Sequence, residues 1–426
     1  MLLINLKGVR TMNHYYMVKA NEYERAFTKK AKHGIRFLTG EGKENFIERI
    51  SSNYVYFHTK KSRAANKVSR SKIREAIAHL LSKRMVTRHQ LQQFSAFNSF
   101  LMGYLRLVFS AFTRIWKTKQ GVLKLFMKGT KFHFCGMERS PRDLELTKLH
   151  SKTLPGILMS YYHLRDDRHE TFKKHLRRLG LKIDILDSGE FSRYRLKKKL
   201  EKALLQLNEL IEDSLPWKKQ MIEIRRMNEK SKRAIKISEY CDFIHKHREF
   251  INHVINLDVT GDPKKSRLNA NYMRSRGINP VEVWHAQSSL DVLDELINAT
   301  ESDFLAIGGT VYLSESERQK VFDEVFERYP NYPFHILGCS STAILKYPVF
   351  SADSSSHLKG RGYHQLITEA GTVCADDLND GHRWTDQECL AWNIEYCSSL
   401  EESFEGHQTQ MIMPPNLIRG EQLTLF

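Results

Sequence analysis

Cysteine is scarce in this chain. There are six in 426 residues, at positions 135, 241, 339, 374, 389 and 397, with no close pair. That scatter excludes a disulfide-stapled scaffold and is the usage of a reducing compartment, where Cys serves as a small hydrophobe. Long uncharged apolar runs are missing too. The opening MLLINLKGVR has too short an apolar core and no small-residue cleavage site, so no secretory leader is expected. The stretch FSAFNSFLMGYLRLVFSAFTRIW, 94–116, is interrupted by Arg106 and Arg114 and diluted by Asn98 and serines. A core helix is expected there rather than a membrane span. The expected location is the cytoplasm. Acidic residues are what the first third lacks. Residues 1–130 carry a net +20, 131–250 carry +10 and 251–426 carry −12, within a chain total of +18. Such asymmetry points to a polyanionic partner held by the first half, the alternative being a solvated basic surface of no special use.

The length allows two or three domains. Residues 1–130 read as a mainly helical, basic, nucleic-acid-binding unit. SRSKIREAIAHLLSKRMVTRHQLQQFSAFNSF has helical periodicity after a Ser start, and KKSRAANKVSRSK, 60–72, is a positive arm or solvated linker. From 131 the texture changes to short β-rich runs separated by helical stretches. The runs are KFHFCGM (131–137), GILMSYY (156–162), KIDILD (182–187), HVINLDV (253–259), VEVWH (281–285), FLAIGG (304–309), FHILGC (334–339) and PVFSAD (348–353). Eight apolar strands alternating with helices predict a (β/α)8 TIM barrel over 131–365, with a doubly wound open sheet as the alternative. A basic insertion, 193–236, follows the third strand and reads as two helices broken near Pro216. Residues 366–426 read as a C-terminal extension.

Barrel chemistry sits at the C-terminal strand ends. Those ends are Tyr161–Tyr162, Asp187, Asp258, His285, Gly308–Gly309, Gly338 and Asp353. A lone strand-end Asp is most often a helix N-cap; three converging on one face suggest a pocket. Lys/Arg in the insertion, including Arg193, Arg195, Lys197, Lys198 and Lys199, suit a clamp on phosphates.

The motifs SYYHL (160–164), LDSGEF (186–191), FLAIGG (304–309) and FHILGCSST with FSADSSS (334–356) resemble, in order and spacing, those of the tRNA-guanine transglycosylase superfamily. The pattern is most similar to the 7-deazaguanine DNA transglycosylases of bacteria and phages, and covers 131 to about 360. The resemblance implies a pentosyltransferase that exchanges guanine in DNA for a 7-deazaguanine base such as 7-cyano-7-deazaguanine (preQ0). It implies Asp353 as the nucleophile at the anomeric carbon and Asp187 as the acid and base serving the purine. Asp258 would recognise the base's donor edge, and Phe191 and Leu337 would sandwich the ring. Gly308 and Gly309 would admit backbone groups to its edge, with His285 or Gln287 adding a hydrogen bond.

Two departures stand out. Glu190 occupies a place that is small in most of the family. The compact zinc motif of the tRNA enzymes is missing, leaving only the loosely spaced Cys374, His382, Cys389 and Cys397, so no metal or other cofactor is expected. The missing zinc motif, with the lack of the tRNA enzymes' Pro-Thr-Arg after the nucleophile, favours DNA as the partner polymer. The alternatives are a tRNA-guanine transglycosylase, a catalytically inactive nucleic-acid-binding barrel, and a barrel acting on phosphorylated metabolites.

Overall fold

The computed structural model describes residues 8–410 apart from 32–33, 61, 63, 111, 139, 168, 208, 210–213, 260, 370 and 379–381. Parts of the 60–72 arm and of the C-terminal extension thus lie outside the described residues.

Eight parallel strands form one sheet: Lys131–Phe134, Gly156–Ser160, Ile183–Asp187, Ile251–Val254, Val283–His285, Leu305–Gly308, Phe334–Ile336 and Ser351–Ser354. They are the eight runs read from the sequence. Most are buried along their whole length, as strands covered on both faces must be. Counted in chain order, the strands lie in the spatial order four, three, two, one, eight, seven, six, five. The two ends of that order meet through a parallel bridge between Ile255 and Val281. There the Asn256 N–H donates to the Val281 carbonyl and the Val281 N–H to that of Val254. The sheet therefore curls round into a (β/α)8 barrel.

Helices cover the outside, and their starts are written locally. Ser140 and Asp262 each cap a helix that has Pro in its first turn, at Pro141–His150 and Pro263–Ser275. Ser314 and Glu317 form a capping box for Glu315–Arg328. The insertion is two helices, Glu190–Leu207 and Leu215–Lys232, with Pro216 in the first turn of the second.

The segment expected as a C-terminal extension supplies part of the barrel's cover. After a hairpin of Gln365–Thr368 and Gly371–Cys374 comes the helix Asp386–Gln410. Its Leu390, Ile394, Cys397 and Leu400, spaced for one helix face, join the main barrel core. Its Glu401 accepts from Lys131 Nζ at 2.6 Å and from the Phe132 N–H at 3.3 Å. The boundary expected at 365 therefore falls within a continuous packed unit.

The N-terminal unit has its helices, Gly8–Lys30, Arg70–Lys83 and Asn98–Val108, but also two antiparallel sheets that the sequence reading did not include. One has four strands, Ile35–Leu38, Glu44–Ile50, Tyr54–Thr59 and Asn66–Ser69; the other has three, Met85–Thr87, Thr113–Lys117 and Leu123–Met127. The positive arm at 60–72 supplies a strand and the start of the second helix. The apolar stretch 94–116 supplies the buried helix Asn98–Val108 and most of a strand. Among the described residues no helix is long and apolar enough to cross a membrane.

This unit plugs the barrel's N-terminal end. Met85 and Phe126 pack with Val281, Val283, Phe304 and Phe350. Lys124 Nζ donates to the Ser302 carbonyl at 2.7 Å, and Lys83 Nζ to Asn252 Oδ1 at 2.6 Å. Arg114 donates to the Pro330 and Pro348 carbonyls at 2.9 and 2.8 Å. Most of these barrel groups lie at or just before the start of a strand. The basic unit closes that end, its cations donating to backbone carbonyls there.

Candidate active site

The opposite rim carries the acids. Asp353, near the end of the eighth strand, is buried and held by two hydrogen bonds, with His335 close by. Its Oδ1 accepts from the Gly338 N–H at 3.1 Å and lies 3.3 Å from His335 Nε2. Its Oδ2 accepts from the Cys135 thiol at 3.3 Å. Burial, reinforced by the Asp353 charge, pushes the Cys135 thiol well above its ordinary range, so it stays protonated and can donate. His335 is itself fixed by Ser351, with Nδ1 2.8 Å from the hydroxyl oxygen. Gly338 has φ +72°, and a Cβ there would run into Val311. Only glycine delivers this N–H to the carboxylate without strain.

Asp187 ends the third strand. Its Oδ2 accepts from the Gly189 N–H at 2.9 Å, a tight Asx turn into the insertion's first helix. Gly189, at φ +85°, has Ser160 and Tyr162 where a side chain would go. Burial first, then the charges of Asp258 and Asp353, push the Asp187 carboxyl up to about 7 against the pull of the Gly189 and Ser188 N–H groups. The three acids therefore share one electrostatic field. Asp258 follows the fourth strand, with Oδ2 2.9 Å from His285 Nε2 at the end of the fifth; the two side chains are 15 % and 18 % exposed.

Gly308 lies against His285, close enough that a Cβ would crowd the ring. Gly309 takes φ +79°, and its carbonyl accepts from Gln287 Nε2 at 3.0 Å. Gln287 is thus tied to the rim, while His285 joins the acid cluster. Leu337 packs at the barrel interior in the same cluster as Cys135. Phe191 is 41 % exposed and lies against Tyr312, so the two residues expected to sandwich a base sit at different depths. Glu190 is neutralised by Arg193, which donates from Nε at 2.8 Å. Arg195, Lys197 and Lys199 are exposed, and Lys198 pairs with Glu201 at 3.0 Å.

Cys374, His382, Cys389 and Cys397 do not converge. Cys397 belongs to the barrel core, Cys389 to a small cluster under the hairpin, and His382 lies 3.3 Å from Glu388. Among the described residues no group of three His, Cys, Asp or Glu side chains is placed to hold a metal.

The structure adds residues that the sequence reading passed over. Cys135 directly follows the first strand, Lys131–Phe134, and a strand-end rule would have found it. His335 had no signal beyond its place in an apolar run. Tyr240 straps the third and fourth strands together, its hydroxyl within hydrogen-bond distance of both the Leu186 and Ile255 carbonyls, at 3.1 and 3.0 Å.

No family model and no curated protein matches the chain. Among solved structures, one from Aquifex aeolicus VF5 has TM-score 0.36 at 9% identity, covering 64% of this chain and 93% of that one. A mutant tryptophan synthase alpha-subunit from the hyperthermophile Pyrococcus furiosus has TM-score 0.33 at 11% identity, covering 63% and 96%. Likeness at this level says nothing of substrate or reaction.

Proposed function

We propose that this protein is a base-exchange transglycosylase acting on guanine in a nucleic acid, with DNA as the polymer and a 7-deazaguanine as the incoming base. The observation that supports it most is the trio of strand-end carboxylates, one of them with its pKa pushed up to about 7. Breaking an N-glycosidic bond builds positive charge on the sugar, which a fixed carboxylate stabilises and then traps. Asp353 suits that role: its oxygens are held by Gly338 and Cys135, so little reorientation precedes attack. The Asp353 oxygen bonds to C1′ as the C1′–N bond breaks, and the departing guanine takes the proton of Asp187. The incoming base surrenders its ring N–H proton to the Asp187 carboxylate as its nitrogen displaces Asp353. The cycle closes with both acids restored and one glycosidic bond exchanged for another, so no outside energy source is needed. A carboxyl that titrates near neutrality can serve in both directions.

Asp258, oriented by His285, offers carboxylate oxygen to the ring N–H and amino donors of a guanine-like base. A duplex base cannot reach a pocket inside a barrel rim, so the target is flipped out or already unpaired. The test is nucleoside mass spectrometry of DNA, and separately of tRNA, from cells making the protein together with a 7-deazaguanine precursor. Modified base in DNA is the expected result. Modified base in tRNA alone would make RNA the polymer, and none in either would remove the activity.

A further inference from the structure

Three aromatic rings cluster on the open rim, with Phe191 tilted at 57° and Tyr194 edge-on at 79° to the central Tyr312. Phe191 and Tyr194 are three residues apart at the start of the helix Glu190–Leu207, and so share a face. Tyr312 ends the short turn Thr310–Tyr312 that follows the sixth strand. The Phe191 and Tyr312 ring centroids are 5.9 Å apart, those of Tyr194 and Tyr312 6.5 Å. The third and sixth strands stand three places apart around an eight-strand ring, so the row reaches across the mouth from one wall towards another.

Phe191, Tyr194 and Tyr312 are 41 %, 42 % and 59 % exposed. A contiguous aromatic patch in water marks a surface that something else covers. Its surroundings say what. The Arg195 guanidinium lies 5.9 Å from the centre of the Phe191 ring, and Lys198 Nζ 5.9 Å from that of Tyr194. The insertion, 193–236, holds 14 Lys and Arg against 6 Asp and Glu. Ring faces bordered by cations match bases bordered by phosphates, and only an unpaired strand offers its bases' faces. An apolar protein partner would leave the insertion's surplus of cations uncompensated.

We infer that Phe191, Tyr194 and Tyr312 stack the unpaired bases flanking the target nucleotide, with Arg195 and Lys198 on the adjoining phosphates. The identity of the target rests on the base-exchange reading; the binding of a single strand does not. Phe191 accordingly belongs to the track of the polymer rather than to the base pocket.

The experiment is fluorescence anisotropy of a labelled single-stranded oligonucleotide, and of its blunt duplex, with the full-length protein and its Tyr194→Ala/Tyr312→Ala variant. Both side chains are exposed, and matched melting curves confirm folding. The double variant is expected to bind the strand about 10- to 100-fold more weakly, with no comparable change for the duplex. Tyr312→Phe, which keeps the ring face, is expected to bind like the wild type. Strand affinity within twofold of wild type in the double variant, or an equal loss for duplex, overturns the platform. If that happens while base exchange persists, the enzymatic reading survives. If the strand binds through the rings but no polymer exchanges a base, the reading falls and the platform stands.

Discussion

The two ends of the barrel use the same kind of residue for opposite purposes. At the rear, Arg114, Lys124 and Lys83 are turned inward, donating to backbone carbonyls and to Asn252, and burial pushes the Arg114 guanidinium down to about 10. At the front, Arg195, Lys197 and Lys199 stand in solvent on the insertion's first helix, which starts just after Asp187. The first 130 residues carry the larger net charge, yet part of it serves as mortar between two units. Net charge in a sequence reports how many cations there are, not which way they face.

The comparison can be broken first at the front. Asp353→Asn should abolish exchange, by about 10³-fold or more, because a neutral amide neither attacks the sugar nor stabilises its charge. Strand binding and melting temperature should hold; residual turnover near wild type would remove Asp353 from its role. At the rear the effect should be on folding alone. Phe126→Ala removes a fully buried ring from the plug and should cost about 3–5 kcal/mol in denaturant unfolding, with unchanged activity per folded molecule. A small stability loss would show that the two ends are not packed as one body.

A third substitution ties pH to the front. The Asp187 carboxyl is raised from 3.8 to about 7. The folded state thus holds that proton more tightly than the unfolded chain does. Its contribution to stability is complete below about pH 4 and drains away as pH rises to 7. Asp187→Asn cannot ionise, so it should gain stability over wild type across that window, approaching ~4 kcal/mol above it. Its base release should be lost. A difference independent of pH would mean that Asp187 is not raised. The smallest effect concerns salt. Lys197→Ala/Lys199→Ala should flatten the dependence of log affinity on log salt by roughly one to two units, while Lys124→Met at the rear should leave the slope alone. An unchanged slope in the front variant would place the polymer elsewhere.

Much of the barrel was legible because each strand is a short apolar run bounded by helical text, and buried parallel strands need no alternation. Asp187 and Asp353 were legible by position, each closing such a run, and Asp258 by lying at the tail of one. The N-terminal sheets were not. Strands such as ENFIERI alternate a buried face with a charged one, and in a basic segment that resembles a helix's polar surface. The docking of that unit was hidden because Arg114 and Lys124 meet carbonyls at residues 302–348, a pairing with no local signature. Phe191 was placed in the pocket by its motif, whereas the helix beginning at Glu190 carries it to the rim, and Tyr312, its neighbour there, lies in a turn of no distinctive composition.

The most direct test of the swap chemistry is intact-mass spectrometry of the acid-quenched protein after brief incubation with a guanine-containing single strand, followed by peptide mapping. The account predicts an oligonucleotide adduct, lacking one guanine, on the peptide that contains Asp353, and its absence from Asp353→Asn. An adduct on another residue, or none while base exchange proceeds, would contradict it.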